Sequence, residues 1–206
     1  NTEVETQIAL ETQNYQKTTG AMSIEHEGKT LTLQQMNAKL ESPDRKVREE
    51  AWRKVAQRRL KDKDKLNTHF EKLFNLRLQV SENCGFDSYL PYIFKAKGRY
   101  DYTPKHCEDF HKAIEEVVVP KVKAIRLKRQ KALRLSSLRP WDTACDPLGR
   151  QALKPFSTSD ELCEGVSQIF KEIDPKLSSW FDQMVSDKLL NLDSRLGKAP
   201  GGYQIG

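Results

Sequence analysis

The dominant rhythm of the chain is helical: apolar positions recur three and four residues apart in segments separated by short breaks bearing Gly, Pro or Ser. Before that rhythm starts, MSIEHEGKTLTL (22–33) alternates and pivots on Gly28, which predicts a short β-hairpin. Thr32 then caps a first helix running to about Leu40. Ser42 followed by Pro43 supplies the cap and first position of the next, with Val47, Ala51 and Val55 on one face. A further helix over roughly 64–83 stacks Leu66, Phe70, Leu73, Phe74 and Val80, and Gly85 can end it in the left-handed conformation. This helix is expected to be central to the core.

After an aromatic loop, FDSYLPYIFKAKGRYDY, Thr103 and Pro104 repeat the cap pattern for a long helix with Cys107, Phe110, Ile114, Val117, Val122 and Ile125 inward. Pro120 removes one backbone donor and is expected to kink it. The loop SLRPWDTACDP follows. Ser159, and then Asp174 with Pro175, open two shorter helices, the second carrying Leu177, Trp180, Phe181 and Met184. The final stretch, NLDSRLGKAPGGYQIG, is dense in turn residues. The pattern gives three divisions: an N-terminal segment with hairpin and first helix (1–41), a helical scaffold (42–190), and a Gly/Pro-rich connector (191–206). No internal repeat is visible.

Composition narrows the class to mainly α. A hydrophobic content of 37% with 31% charged residues is low for a compact two-layer domain and suits long, solvent-facing amphipathic helices. No apolar run is long enough for a transmembrane span or a secretory signal core, so the chain is expected to be soluble and cytoplasmic, with no membrane partner. The start at Asn1 suggests a piece of something longer. Four cysteines (Cys84, Cys107, Cys145, Cys163) form no C-x-x-C pair, which points to reduced thiols, most of them buried.

Net charge is +6, and residues 1–43 hold three Lys against six Glu, so the basic excess lies in the remainder, clustered at Arg45–Lys65 and Lys121–Arg139. Phosphate binding would need such stripes, but acids alternate with the bases at helical spacing (Glu49, Glu50, Arg53, Lys54), and no aromatic interleaves the second run. Both read as solvated helix faces, and nucleic acid is not an expected partner.

Two places invite catalytic readings. HEGKT (26–30) has the first His and Glu of H-E-x-x-H, but Thr30 stands where the second ligand belongs and Gly28 disfavours a helix. In HCEDFHKAIEE (106–116), Cys107, His111 and Glu115 fall four apart on one helix face, yet Phe110, Ile114 and Val117 share much of it, so Cys107 reads as core and His111 as its margin. GKAPGG lacks the order of a phosphate-cradling loop, G-x-S-x-G is absent, and no His sits in a context suggesting a triad.

Taken in order, TLQQMNAKLESPDRKVREEAWRKVAQRR, SENCGFDSYLPYIFKAKGRYDYTPKHCEDFHKAIEEVVVP, RPWDT and above all LDSRLGKAPGGYQ resemble oligoendopeptidase F and its relatives, the cytosolic zinc oligopeptidases of the thimet oligopeptidase superfamily. The resemblance runs from about Ala21 to Gln204. It implies a mostly helical fold in which two halves flank a deep channel that admits short peptides. In that family the stretch matching Arg195–Tyr203 leads into a strand and the H-E-x-x-H helix, which have no counterpart here.

The resemblance therefore implies an inactive fragment of a zinc metallo-oligopeptidase. Its zinc ligands would lie outside the chain, and its partners would be short peptides and the C-terminal catalytic half. No catalytic or metal-binding residue carries over. Arg195, Lys198 and Tyr203 are the residues expected nearest the substrate, against the plainer reading that Arg195 and Lys198 pair with carboxylates while the glycines shape a turn. The competing reading from another class is a standalone basic helical binding module.

Overall fold

The structure, a computed structural model, describes residues 1–202 and Gln204. It is mainly helical, and the described residues form two compact units, one of residues 1–150 with the stretch from Leu196 onward, the other of residues 151–195.

The larger unit opens with α1 (Thr2–Gly20), a helix that apolar periodicity does not reveal because Glu11 and Thr18 on its buried side are polar. Next come β1 (Ser23–His26) and β2 (Lys29–Thr32), antiparallel with Ile24 opposite Leu31. Their two-residue turn, Glu27 and Gly28, has positive φ at both positions (52° and 75°), the mirror-image turn that matches strand twist. Thr32 caps α2 (Leu33–Asn37) in a reciprocal box with Gln35, as the sequence predicts. A 3₁₀ turn then leads to α3 (Arg45–Lys61). Ser42 is not the cap of α3: Asp44 is, accepting from the Lys46 amide at 2.9 Å, while the Ser42 hydroxyl accepts from the Asp44 amide one step earlier. Met22, Ile24, Leu33, Met36, Ala51 and Val55 form one core cluster beneath the hairpin.

α4 (Lys63–Asn83) packs along α1, with Val4, Leu76 and Val80 as a second cluster. Gly85 closes it at φ 74°, as expected. The predicted inward face needs correction, because Phe70 and Phe74 are 66% and 52% exposed. α1 covers the side of α4 that carries His69, Leu76 and Val80, one residue round from the two phenylalanines, which stack on each other instead.

α5 (Tyr89–Ala96) precedes a long helix built of α6 (Pro104–Ala113), a π-helical turn (Ile114–Val118) and α7 (Val119–Ala132). Thr103 caps α6, and the helix widens directly before Pro120, whose ring nitrogen cannot donate. Its expected inward face is overturned: none of its residues is buried, Cys107 and Ile114 are half-buried, and Phe110, Val117, Val122 and Ile125 are exposed. The apolar period is present, but no other element of this unit lies along it.

In the smaller unit α8 (Ser159–Ile173) is capped by Thr158 rather than Ser159, and α9 (Pro175–Ser186) by Asp174. The two join through Phe170 against Phe181, edge to face, and through buried Ser178, which meets Ser167 and Asp182. Trp180 stays exposed beneath the Lys176 ammonium.

Candidate functional site

The RPWDT loop is tied to α3 by a buried ionic node. Asp142 is fully buried; Arg45 grips it with two parallel bonds (3.0 and 2.9 Å), Arg48 adds a third (3.1 Å), and the Arg139 amide a fourth (3.0 Å). Arg48 also donates to the carbonyls of Trp141, Ser42 and Pro43. Burial would raise the Asp142 carboxyl, but the bonds from Arg45, the Arg139 amide and Arg48 outweigh it and hold the group below the usual carboxylate range. Trp141 packs on Trp52, with the Arg53 guanidinium over its ring. Every carboxylate lone pair faces protein, so the node anchors a loop and offers no reacting group.

A second polar centre locks α1 to α4. The Thr18 hydroxyl meets His69 Nε2 at 3.1 Å, His69 Nδ1 meets the Glu11 carboxylate, and Lys72 Nζ reaches the other Glu11 oxygen at 2.8 Å. Hydrogen bonds from Lys72 and then His69, working against burial, lower the Glu11 pKa from 4.5 to about 2. His69 thus has Thr and Glu partners that its own sequence context does not show. Sequence reading missed it because α1 was not predicted, so two of the three partners were invisible. The line borders an open groove of 420 Å³ with Lys17, Arg58 and Lys65 along it. Thr18 is nevertheless buried near the end of a helix whose amides are taken up by helical bonding, with no donor pair set for an oxyanion. The arrangement works as a packing lock.

The connector meets the end of α1. The Gly197 amide donates to the Gly20 carbonyl at 3.0 Å, and a Cβ placed on Gly20 would lie 3.0 Å from the Lys198 carbonyl oxygen and 3.2 Å from that of Gly197. Gly197 and Gly201 take φ of 79° and 102°, the turn-forming values their sequence predicts. Lys198 is half-buried in this turn. Arg195 belongs to the other unit, exposed, with its guanidinium on the Asn191 side-chain oxygen at 2.6 Å. Tyr203 lies outside the described residues. The three predicted substrate-facing residues are therefore not gathered into one site within either unit.

The metal-like patterns dissolve. His26 sits in β1 and Thr30 in β2, so HEGKT is a hairpin and no helix. Cys107 is half-buried and His111 exposed, and Glu115 falls in the π-helical turn. Among the described residues no three His, Cys, Asp or Glu side chains are grouped as metal ligands.

Compared with known families, the chain matches Peptidase family M3 over residues 38–175. Among solved structures it resembles PZ peptidase A, in a complex with an inhibitor, at 25% identity and a TM-score of 0.90, over 98% of this chain and 36% of that one. It resembles a protein assigned as oligoendopeptidase F from Bacillus anthracis str. Ames at 20% identity and a TM-score of 0.88, over 98% of this chain and 38% of the other. A further protein so assigned gives 23% and 0.89, over 97% and 35%. No curated protein matches the chain. The chain thus spans little more than a third of the structures it matches. The resemblance to oligoendopeptidase F read from the sequence is borne out, and the family match covers well over half of the chain: it belongs to peptidase family M3.

Proposed function

We propose that this chain is the helical scaffold and part of the channel wall of a zinc metallo-oligopeptidase that hydrolyses short peptides in the cytoplasm. The observation that carries this reading is the family match over 38–175 together with a fold match along nearly the whole chain. The described residues do not fit a zinc site, so no chemical step is assigned to them. The metal in this reading is held by residues outside 1–206. Arg195, Lys198 and Tyr203 are proposed to lie near the peptide, where the two cations attract its carboxylates. Nucleic acid and membrane are not proposed partners, and among the described residues no helix is long and apolar enough to cross a membrane.

The test uses the full-length protein that contains this chain, with quenched peptides of increasing length. Cleavage of short peptides that stops on chelation and returns with zinc is expected. Failure of the zinc-loaded protein to cleave any of them overturns the proposal. If Lys198 touches substrate, Lys198→Ala should raise KM while leaving kcat close to its original value.

A further inference from the structure

We infer that the Glu11–His69–Thr18 chain sets the position of the connector turn at residues 197–198, which makes Thr18 and His69 positioning residues for the peptide that Lys198 meets. The inference deepens the peptidase reading and, as far as the peptide is concerned, rests on it.

The seam between α1 and α4 changes character along its length. Val4, Glu11 and Thr18 are buried at seven-residue steps on α1, nearly two turns each, and His69 and Leu76 are buried at the same step on α4. At one end Val4 meets Leu76 and Val80 in an apolar cluster. At the other end the buried side chains are Glu11, Thr18 and His69, all polar and bonded to one another. Apolar contact is non-directional and holds two helices together while allowing small rotations, whereas hydrogen bonds fix angle as well as distance. The polar end is the one that receives the connector. Two residues past Thr18, the Gly20 carbonyl accepts from the Gly197 amide at 3.0 Å, and the bare Gly20 α-carbon leaves room for the Lys198 carbonyl.

The last turn of α1 also needs a hold from outside. Thr18, Thr19 and Gly20 are weak helix formers, and Ala21 ends the helix at φ −81° without a left-handed cap. The Thr6 and Thr19 hydroxyls bond back to carbonyls of α1, as threonines in helices commonly do; the Thr18 hydroxyl leaves the helix for His69 Nε2. Glu11 decides where the protons lie. Lys72 and then His69 lower its pKa to about 2, so it is ionised and accepts, Nδ1 carries the imidazole proton, and Nε2 accepts from Thr18 in the neutral ring. Full protonation of His69 reverses only the last bond, with Thr18 as acceptor, so the hold persists in both states.

The test uses the full-length protein and compares Thr18→Val, which deletes the hydroxyl and keeps the shape, with Thr18→Ser, which keeps the hydroxyl. Val80→Ala is the reference, because it weakens the same helix pair at the apolar end. Amide exchange at Gly197 should quicken about fivefold or more in the valine variant, as expected for a buried acceptor left unpaired, and stay near the parent rate in the other two. An unchanged rate in Thr18→Val overturns the inference. So does an equal rise in Val80→Ala, since general loosening of α1 on α4 would then suffice.

Peptide cleavage is assayed on the same preparations. Thr18→Val should raise KM several-fold with kcat near the parent value, and the rise should vanish in a Lys198→Ala background, because the hydroxyl then acts through a side chain that is gone. An unchanged KM, or full additivity of the two substitutions, overturns the positioning role. A protein that cleaves no peptide while Gly197 exchange responds as stated would sink the peptidase reading alone. An active protein whose Gly197 exchange ignores Thr18 would sink the inference alone.

Discussion

α3 and α7 are both strongly basic helices, and the fold treats them in opposite ways. In α3 the cations turn inward: Arg48 is 3% exposed, Arg45 and Arg48 together hold Asp142, and Arg53 lies over Trp141. In α7 only Arg129 is half-buried, donating to the Cys145 carbonyl; the other cations stay exposed, and the helix buries nothing. Positive charge on a helix thus says little about its role. What decides the role is whether a carboxylate or an aromatic ring from a distant loop comes within reach, as the RPWDT segment does for α3.

The largest expected effect breaks the α3 side of this contrast. Asp142→Ala leaves Arg48 buried with no counter-charge, and urea denaturation should show a loss of about 3–5 kcal/mol. A loss below about 1 kcal/mol would mean that the arginines of α3 are as peripheral as those of α7. Gly20→Val forces a branched side chain against the connector carbonyls, and overpacking of this kind costs about 1–3 kcal/mol. Hydrogen exchange should then quicken at Gly197, and an unchanged rate there would mean that the connector is held elsewhere.

The Glu11 lock gives a smaller, pH-dependent effect. Because its folded pKa is depressed from 4.5 to about 2, its stabilisation is complete above 4.5 and is lost as pH falls toward 2. Glu11→Gln should therefore be less stable than the parent at neutral pH, with the gap closing through that acid window; a gap independent of pH would exclude the carboxylate as its source. The smallest effect sharpens the comparison from the bare helix. Lys105 pairs with Asp109 one turn along α6, both exposed, and Lys105→Ala should cost about 0.3–0.5 kcal/mol, less in high salt.

Local chemistry was legible in the sequence. The Gly28 hairpin, the Thr32 and Thr103 caps, the end of α4 at Gly85 and the disturbance at Pro120 each depend on residues within a few positions of one another. What escaped depends on partners far along the chain. α1 was missed because its buried side includes Glu11 and Thr18, which show no apolar period. Without α1 the face of α4 was assigned to Phe70 and Phe74 instead of His69. Asp142 was visible as a letter in RPWDT, but its bonds to Arg45 and Arg48 span nearly a hundred positions, beyond any periodic pattern. The long helix shows the converse: its apolar period is present, and the period alone could not say that among the described residues no other element of this unit packs along it. Of the residues expected nearest the substrate, Lys198 lies in the turn beside Gly20 and Arg195 in the smaller unit.

Gly20 would pass for an ordinary helix stop, yet its backbone does not need the left-handed conformation that usually justifies glycine there. Its bare α-carbon is a clearance cut for a strand of chain that arrives from the opposite end of the sequence. Two stretches that never neighbour each other in the gene therefore share one steric constraint, and a lineage that tolerates a side chain at position 20 should carry a compensating shift in the turn around 197 and 198. Position 20 should vary together with that turn and independently of the helix in which it sits.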